Sequence, residues 1–217
     1  MSDTLDLNSL DARDARLVQI ALGELGFYQG TTAGRPGPKT RAAYAAYLES
    51  FGRQALGSIP LAELVTRIAE GEVGTVEQPR DSNRGARVEQ YQAATWLAGT
   101  GWPWCAAFIC WCIREAGRDI KLPFKRPRTA GAWDFERWAR KEGLDLLGNP
   151  ADGDIQRGDI VVFKISHIGL AASAPEKGWF ETVEGNTNAG GSRDGGGVWR
   201  KNRRVSEIRS RIRLQLK

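Results

Sequence analysis

The stretch WPWCAAFICWCIREAG, residues 102–117, decides how the rest of the chain is interpreted. Pro103 lacks a backbone N–H and suits the opening turn of a helix, and Gly117 suits the end of that helix. The predicted helix, residues 103–116, places Cys105 in its first turn. Unpaired backbone N–H groups and the helix dipole favour a thiolate there, so Cys105 is a candidate nucleophile.

The same helix leaves a structural alternative open, that of a cysteine in the core. Its apolar stripe consists of Cys105, Phe108, Ile109 and Cys112. Cys110 and Cys112 fit inert core positions. Three cysteines on one predicted helix argue against a disulfide framework and suit a reducing compartment. Their spacing and the distance to the only histidine argue against zinc.

That histidine, His167, lies in RGDIVVFKISHIGLAAS, residues 157–173. The pattern predicts a strand over 159–165, a turn, and a second strand over 167–173. A lone histidine on a strand is more often structural than catalytic. A catalytic interpretation therefore depends on Cys105, because a cysteine nucleophile needs a base.

A third polar pair ends the next predicted strand, residues 179–184, in WFETVEGNTN. Glu184 and Asn186 form an E-x-N pattern just before a glycine-rich loop at 188–197. A carboxylate or amide that accepts from an imidazole N–H would fix its tautomer and orientation. The alternative is an ordinary polar turn, and the loop itself is a mobile lid or a plain connection.

These stretches, in this order, resemble the CHAP family of papain-like cysteine, histidine-dependent amidohydrolases and peptidases. PWCAAFICWCIREAG resembles its nucleophile helix, GDIVVF…SHIGL its histidine hairpin and VEGNTN its Glu-x-Asn strand end. The segment EVGTVEQPRDSNRG, residues 72–85, resembles the lead-in of bacterial and phage members. The resemblance covers residues 61–217. It implies an α+β, papain-like domain in which the nucleophile helix packs on an antiparallel sheet.

The resemblance also implies a role for each catalytic residue. Cys105 would attack an amide carbonyl, and His167 would take the thiol proton and later protonate the leaving amine. Glu184, in preference to Asn186, would orient the imidazole, with Asn186 shaping the site. The backbone N–H of Cys105 would supply part of the oxyanion hole. Candidates for the second donor are Gln90, Tyr91 and Gln92.

Three aromatic residues are the candidate substrate contacts: Trp102, Trp104 and Tyr91. Trp102 and Trp104 flank the nucleophile and could wall a groove, although core packing explains most of the other tryptophans. Some family members bind calcium through an acidic cluster before the cysteine. Here that region offers only Asp81 and Asn83, so we predict no metal and no cofactor.

Helical periodicity dominates the first fifty residues. LVQIALGELGFYQG (17–30) and GPKTRAAYAAYLESFG (37–52) resemble small helical peptidoglycan-binding modules. The alternative is a helical cap that only packs on the main domain. We place the small helical domain at 1–58 and the CHAP-like domain at 59–217. A helix predicted over 61–69 either completes the module or opens the second domain, and another is predicted over 131–142.

The charge is unevenly placed, since the net charge is +5 and residues 198–217 hold eight Lys/Arg and one acidic residue. The alternation after Glu207 predicts a half-buried strand, with Ile208, Ile212, Leu214 and Leu216 inward. It predicts a solvated basic face of Arg209, Arg211 and Arg213. A half-buried strand is preferred over an arm that binds nucleic acid.

The predicted function is a peptidoglycan hydrolase of phage or prophage endolysin type, monomeric and without membrane insertion. The start of the chain lacks a signal-peptide pattern, so we expect synthesis in the cytoplasm and action on the wall after release or delivery. Three alternatives stay open. They are an injected antibacterial effector with the same chemistry, a papain-like protease or acyltransferase acting on proteins, and a non-catalytic wall-binding protein.

Overall fold

The computed structural model describes residues 5–51, 59–188, 190 and 195–216. The chain divides into two compact units, Met1–Ser58 and Ile59–Lys217. No helix among the described residues is long and apolar enough to span a bilayer.

The first unit contains α1 (Ala12–Glu24) and α2 (Pro38–Phe51). Their contact is apolar, and its buried members are Leu22, Ala43 and Tyr47. The buried amide of Gln19 ties the connecting loop to the helices. It accepts from the Gly34 N–H at 3.0 Å and donates to the carbonyl of Arg35 and the hydroxyl of Thr40, both also at 3.0 Å.

The second unit begins with four helices. They are α3 (Leu61–Gly71), α4 (Ala86–Gln92), α5 (Cys105–Asp119) and α6 (Asp134–Lys141). Val65 and Ala69 of α3 belong to the same buried apolar cluster as the residues of α5. Of the two alternatives for this helix, the structure therefore shows the one in which it opens the second unit.

Six antiparallel strands complete this unit. They are β1 (Leu144–Gly148), β2 (Ile160–Phe163), β3 (Ile168–Ala171), β4 (Trp179–Thr187), β5 (Gly197–Arg204) and β6 (Ile208–Leu216). They form one sheet in the order β1-β6-β2-β3-β4-β5. Helices followed by an antiparallel sheet confirm the α+β prediction, although β1 and β5 were not predicted as strands.

Helix α5 lies in the middle of the second unit and packs against α3, α4, β3 and β4. All of its residues from Cys105 to Ile113 are buried. The helix starts two residues later than predicted, at Cys105, because Trp104 stays outside it. The Trp104 backbone N–H donates to Asn186 Oδ1 at 2.9 Å, and its indole is fully buried.

The solvated basic face predicted for the last strand is wrong for two of its three residues, since only the Arg209 side chain, at 46%, is exposed. β6 lies inside the sheet between β1 and β2, where Arg211 pairs with Asp145 at 2.6 Å and Arg213 with Asp159 at 2.8 Å. The predicted inward row is also interrupted, and Leu216 at its end is 46% exposed. The register of β6 against β2 shifts between Val162 and Phe163, and Ile208 belongs to a different apolar cluster from Ile212.

Candidate active site

Cys105 is the first residue of α5 and is 6% exposed. A residue at this position has a backbone N–H that finds no acceptor inside the helix. The thiol therefore lies beside free backbone donors at the positive end of the helix dipole, in a largely buried setting.

His167 immediately precedes β3, and its side chain is fully buried. Nε2 lies 2.9 Å from Oε2 of Glu184. The ring stacks on Phe163 with centroids 5.6 Å apart. Nδ1 makes no hydrogen bond to any residue that the structure describes, which leaves it as the ring nitrogen available to Cys105.

The protonation of the imidazole is set by three competing effects. Burial lowers the pKa of His167, but the Cys105 side chain and the Glu184 carboxylate together raise it to about 9. For Glu184, burial raises the pKa, while Arg203 and His167 lower it to about 2. At neutral pH the site therefore holds a protonated imidazole beside an ionised carboxylate.

Glu184 has more partners than the sequence suggested. Arg203 of β5 binds it through two hydrogen bonds, Nε to Oε1 at 2.8 Å and Nη2 to Oε2 at 2.6 Å. The hydroxyl of Thr182 donates to Oε1 at 2.6 Å. The sequence analysis gave Arg203 no role beyond its share in the basic charge of residues 198–217, and only its place on an unpredicted strand beside β4 reveals this contact.

Two glycines let the elements of the site approach one another. A Cβ at Gly169 would lie 2.7 Å from Cγ of Glu184, so β3 must present a glycine where that side chain passes. A Cβ at Gly185 would lie 2.8 Å from atoms of both Phe108 and Trp104. Gly185 therefore lets β4 reach the start of α5, with Glu184 on one side and Asn186 on the other.

Asn186 binds the backbone of Trp104, the residue just before Cys105. None of its described hydrogen bonds reaches the imidazole. Its Oδ1 accepts from the Trp104 N–H, and its Nδ2 donates to Asn83 Oδ1 at 3.0 Å and to the Gly195 carbonyl at 3.1 Å. The residue has a left-handed backbone, with φ of 56°, a conformation that asparagine tolerates better than most residues.

The structure contradicts two of the three substrate contacts that the sequence suggested. Trp104 and Tyr91 are both fully buried, and their rings stack with centroids 5.3 Å apart. The Trp104 indole donates to Glu77 at 2.8 Å, and the Tyr91 hydroxyl donates to Glu72. Their polar atoms are satisfied inside the protein, so neither side chain is available to a substrate. Trp102 is only half-buried and keeps that potential role.

The side chains of the candidate second oxyanion donors are also engaged elsewhere. Gln90 is exposed and accepts from Arg87 at 2.7 Å, and Tyr91 is in the core. Gln92 donates to the carbonyls of Asn83 and Trp102, at 3.0 and 2.9 Å, which uses both of its N–H groups. These contacts leave the backbone N–H of Cys105 as the donor that the geometry supports.

No cluster of three or more His, Cys, Asp or Glu side chains is placed to hold a metal within the described part of the chain. In the segment of Asp81 and Asn83, the Asn83 N–H donates to Glu77 at 3.0 Å. The glycine-rich loop lies partly outside the described residues, at 189 and 191–194.

Comparison with known proteins bears directly on this arrangement. A family model described as CHAP domain matches residues 97–186, a segment inside the second unit that includes all four predicted catalytic positions. A search of curated proteins found no match to the chain. The family match supports a hydrolase of the amidase and peptidase class, with peptidoglycan as the implied substrate. The matched segment does not include Arg203 or the first unit.

Proposed function

We propose that the chain is a cysteine-dependent peptidoglycan hydrolase that cleaves an amide of the stem peptide, of the cross-bridge, or between N-acetylmuramic acid and L-alanine. One observation carries this proposal. Cys105 begins a buried helix and interacts with the His167 imidazole, whose Nε2 lies 2.9 Å from the Glu184 carboxylate.

The geometry supports a thiolate–imidazolium mechanism. The Cys105 sulfur attacks the amide carbonyl, and the developing oxyanion accepts a hydrogen bond from the Cys105 N–H at the helix start. The His167 imidazolium gives its proton to the leaving amine, which leaves a thioester. The neutral imidazole then takes a proton from water, and the resulting hydroxide cleaves the thioester. Glu184 holds Nε2 so that Nδ1 stays directed at the reacting atoms.

The first unit has a proposed role in binding the wall. Its two amphipathic helices and their glycine-rich loop carry the resemblance to peptidoglycan-binding modules. Attachment to the polymer would raise the local concentration of the catalytic unit at its substrate. A monomeric endolysin, made in the cytoplasm and acting on the wall after release, is the biological setting that we propose for this combination.

Alkylation of Cys105 by iodoacetamide tests the catalytic pair without any substrate. We expect the wild-type thiol to react at neutral pH faster than free cysteine, and the His167→Ala variant to lose this advantage. The same variant should lose turnover by at least about 100-fold, since a general acid–base residue contributes about 10² to 10⁴. A wild-type thiol no faster than free cysteine would favour a non-catalytic wall-binding protein.

A further inference from the structure

Arg203 lies on β5, opposite Phe180 of β4, and its side chain is 11% exposed. Its guanidinium reaches the Glu184 carboxylate, which is completely buried. A charged side chain this far from solvent is costly unless it is paired, and the Glu184 carboxylate next to the imidazole pairs with this cation.

Each oxygen of the Glu184 carboxylate has two described partners. Oε1 accepts from Arg203 Nε and from the Thr182 hydroxyl, while Oε2 accepts from Arg203 Nη2 and faces Nε2 of His167. A planar guanidinium that binds both oxygens fixes the plane of the carboxylate as well as its position. Without this fork, the carboxylate could rotate and Oε2 would leave its place opposite the imidazole.

A second contact links Arg203 to the imidazole. The guanidinium carbon lies 4.9 Å above the ring of Phe163, and the other stacking partner of that ring is His167. Arg203 therefore supports the imidazole from two directions, through the carboxylate at its edge and through the aromatic ring at its face.

We propose that Arg203 is a positioning residue, which holds the Glu184 carboxylate in the plane and place where it orients His167 toward Cys105. This inference rests on the proposed function, because it concerns the same Cys105–His167 pair. It extends the site to a third strand, β5, beyond the segment that the family model matches.

The competing explanation is that Arg203–Glu184 is only a structural ion pair, and the chain provides a matched control for it. Arg213 binds the fully buried Asp159 in the same forked way, with Nε to Oδ1 at 2.8 Å and Nη2 to Oδ2 at 2.9 Å. That pair joins β6 to the residue before β2, and its hydrogen bonds within the described part of the chain involve no residue of the proposed site.

The experiment compares four variants in the full chain: Arg203→Lys, Arg203→Met, Arg213→Lys and Arg213→Met. Circular dichroism and thermal unfolding establish that each is folded. Two activities are then measured across pH, namely turnover of a soluble muropeptide and the rate of Cys105 alkylation. The lysine variants keep the charge and lose the fork, which separates charge from geometry.

We expect both Arg203 variants to lose about 10- to 100-fold in kcat, because a misplacement of about 1 Å can cost 100-fold, with KM changed less than about twofold. Lysine should not restore the rate. The Arg213 variants should unfold at lower temperature but keep the wild-type kcat and pH profile.

The acid limb of the Arg203→Met profile should move up by about one pH unit or more, since an opposite charge lowers a carboxyl pKa by about 1 to 3 units. The groups that face Glu184 are His167, Arg203 and Thr182, while Glu207 lies 4.0 Å from Arg203. Without Arg203, the effect of burial on the Glu184 pKa is opposed less, so the pKa rises. Glu184 then becomes protonated, and stops orienting the imidazole, at a higher pH than in the wild type.

Two results would overturn the inference. One is a folded Arg203→Met protein with wild-type kcat and acid limb. The other is an equal loss of kcat in the Arg203 and Arg213 variants that follows their loss of stability. Failure of the proposed function would give a distinct result. The wild-type protein would then show no turnover, and its Cys105 would not be alkylated fast, so the residue at position 203 would make no difference.

Discussion

The His167 imidazole lies between a thiol and a carboxylate, with no exposure to solvent. Burial alone would lower the pKa of His167, and the two acidic neighbours reverse that effect. The imidazole is therefore held as the acid that an amide leaving group requires.

This protonation state predicts a pH-dependent contribution to stability. Since the folded pKa of His167 is raised to about 9, its contribution is complete below the unfolded value near 6.5 and is lost as pH rises to about 9. Urea unfolding of wild type and His167→Gln should show a stability difference that shrinks over this window, by at most about 3 kcal/mol. A difference that stays constant from pH 6 to 10 would contradict the assignment. The rate of Cys105 alkylation should also change over this pH range, because the imidazolium loses its proton there.

At the scale of elements, the site depends on how closely β3, β4 and the start of α5 approach. β3 presents Gly169 beneath Glu184, and β4 presents Gly185 against Phe108 and Trp104. Neither glycine has a positive φ, so each is required for space and not for backbone conformation. The E-x-N pattern is thus an E-G-N pattern, in which the glycine lets β4 approach the start of α5 while Asn186 binds Trp104 and Glu184 binds His167.

Replacement of Gly169 by alanine should disturb the site while leaving the sheet intact. Its Cβ would lie 2.7 Å from Cγ of Glu184 and 3.2 Å from the Val183 carbonyl. Because the Glu184 side chain must shift, we expect kcat to fall about 10- to 100-fold. Gly148→Ala is the control, as a Cβ there meets nothing within 4 Å on strand β1. Equal kcat in both variants would mean that the position of Glu184 is unimportant.

The sequence predicted the elements whose partners are local. Amphipathic periodicity located every described helix except α4, and apolar runs located β2 and β3, with errors of two or three residues at most ends. β5 was not predicted as a strand, because a segment with four basic residues suggests a solvated surface. These residues are Arg200, Lys201, Arg203 and Arg204. Arg200 and Arg203 instead pair with Glu181 and Glu184, which lie 19 residues earlier in the chain. Periodicity cannot show partners at that separation.

The same contrast between local and distant information explains why only part of the candidate site could be predicted. Cys105, His167 and Glu184 carry recognisable chemistry at the starts and ends of elements, and the structure brings them together. Trp104 and Tyr91 look like groove residues in sequence, but buried acceptors on Glu77 and Glu72 let their polar atoms lie in the core. Only the three-dimensional structure reveals those acceptors.

At the scale of the whole molecule, the two compact units predict separable properties. In the first unit, Gly34 has φ of 71°, and a Cβ there would lie 2.0 Å from the Ala12 carbonyl oxygen. A Gly34→Ala substitution should therefore unfold this unit and abolish retention on peptidoglycan in a sedimentation assay. Cys105 alkylation should stay at the wild-type rate. Full retention by an unfolded first unit would show that wall binding belongs to the second unit.

The control is Gly37→Ala in the same loop, because a Cβ at Gly37 meets nothing within 4 Å. It should keep both properties. Each variant is best placed in a Cys105→Ala background for the sedimentation assay, so that cleavage does not release the protein from the polymer.

The central claim is tested most directly by digestion of purified peptidoglycan from several bacteria, with mass spectrometry of the soluble products, for wild type beside Cys105→Ala. We predict new fragments from wild type alone, with masses that identify a single hydrolysed amide. Identical products from both proteins, or none from any wall despite a folded protein with a reactive Cys105, would contradict a cysteine-dependent peptidoglycan hydrolase.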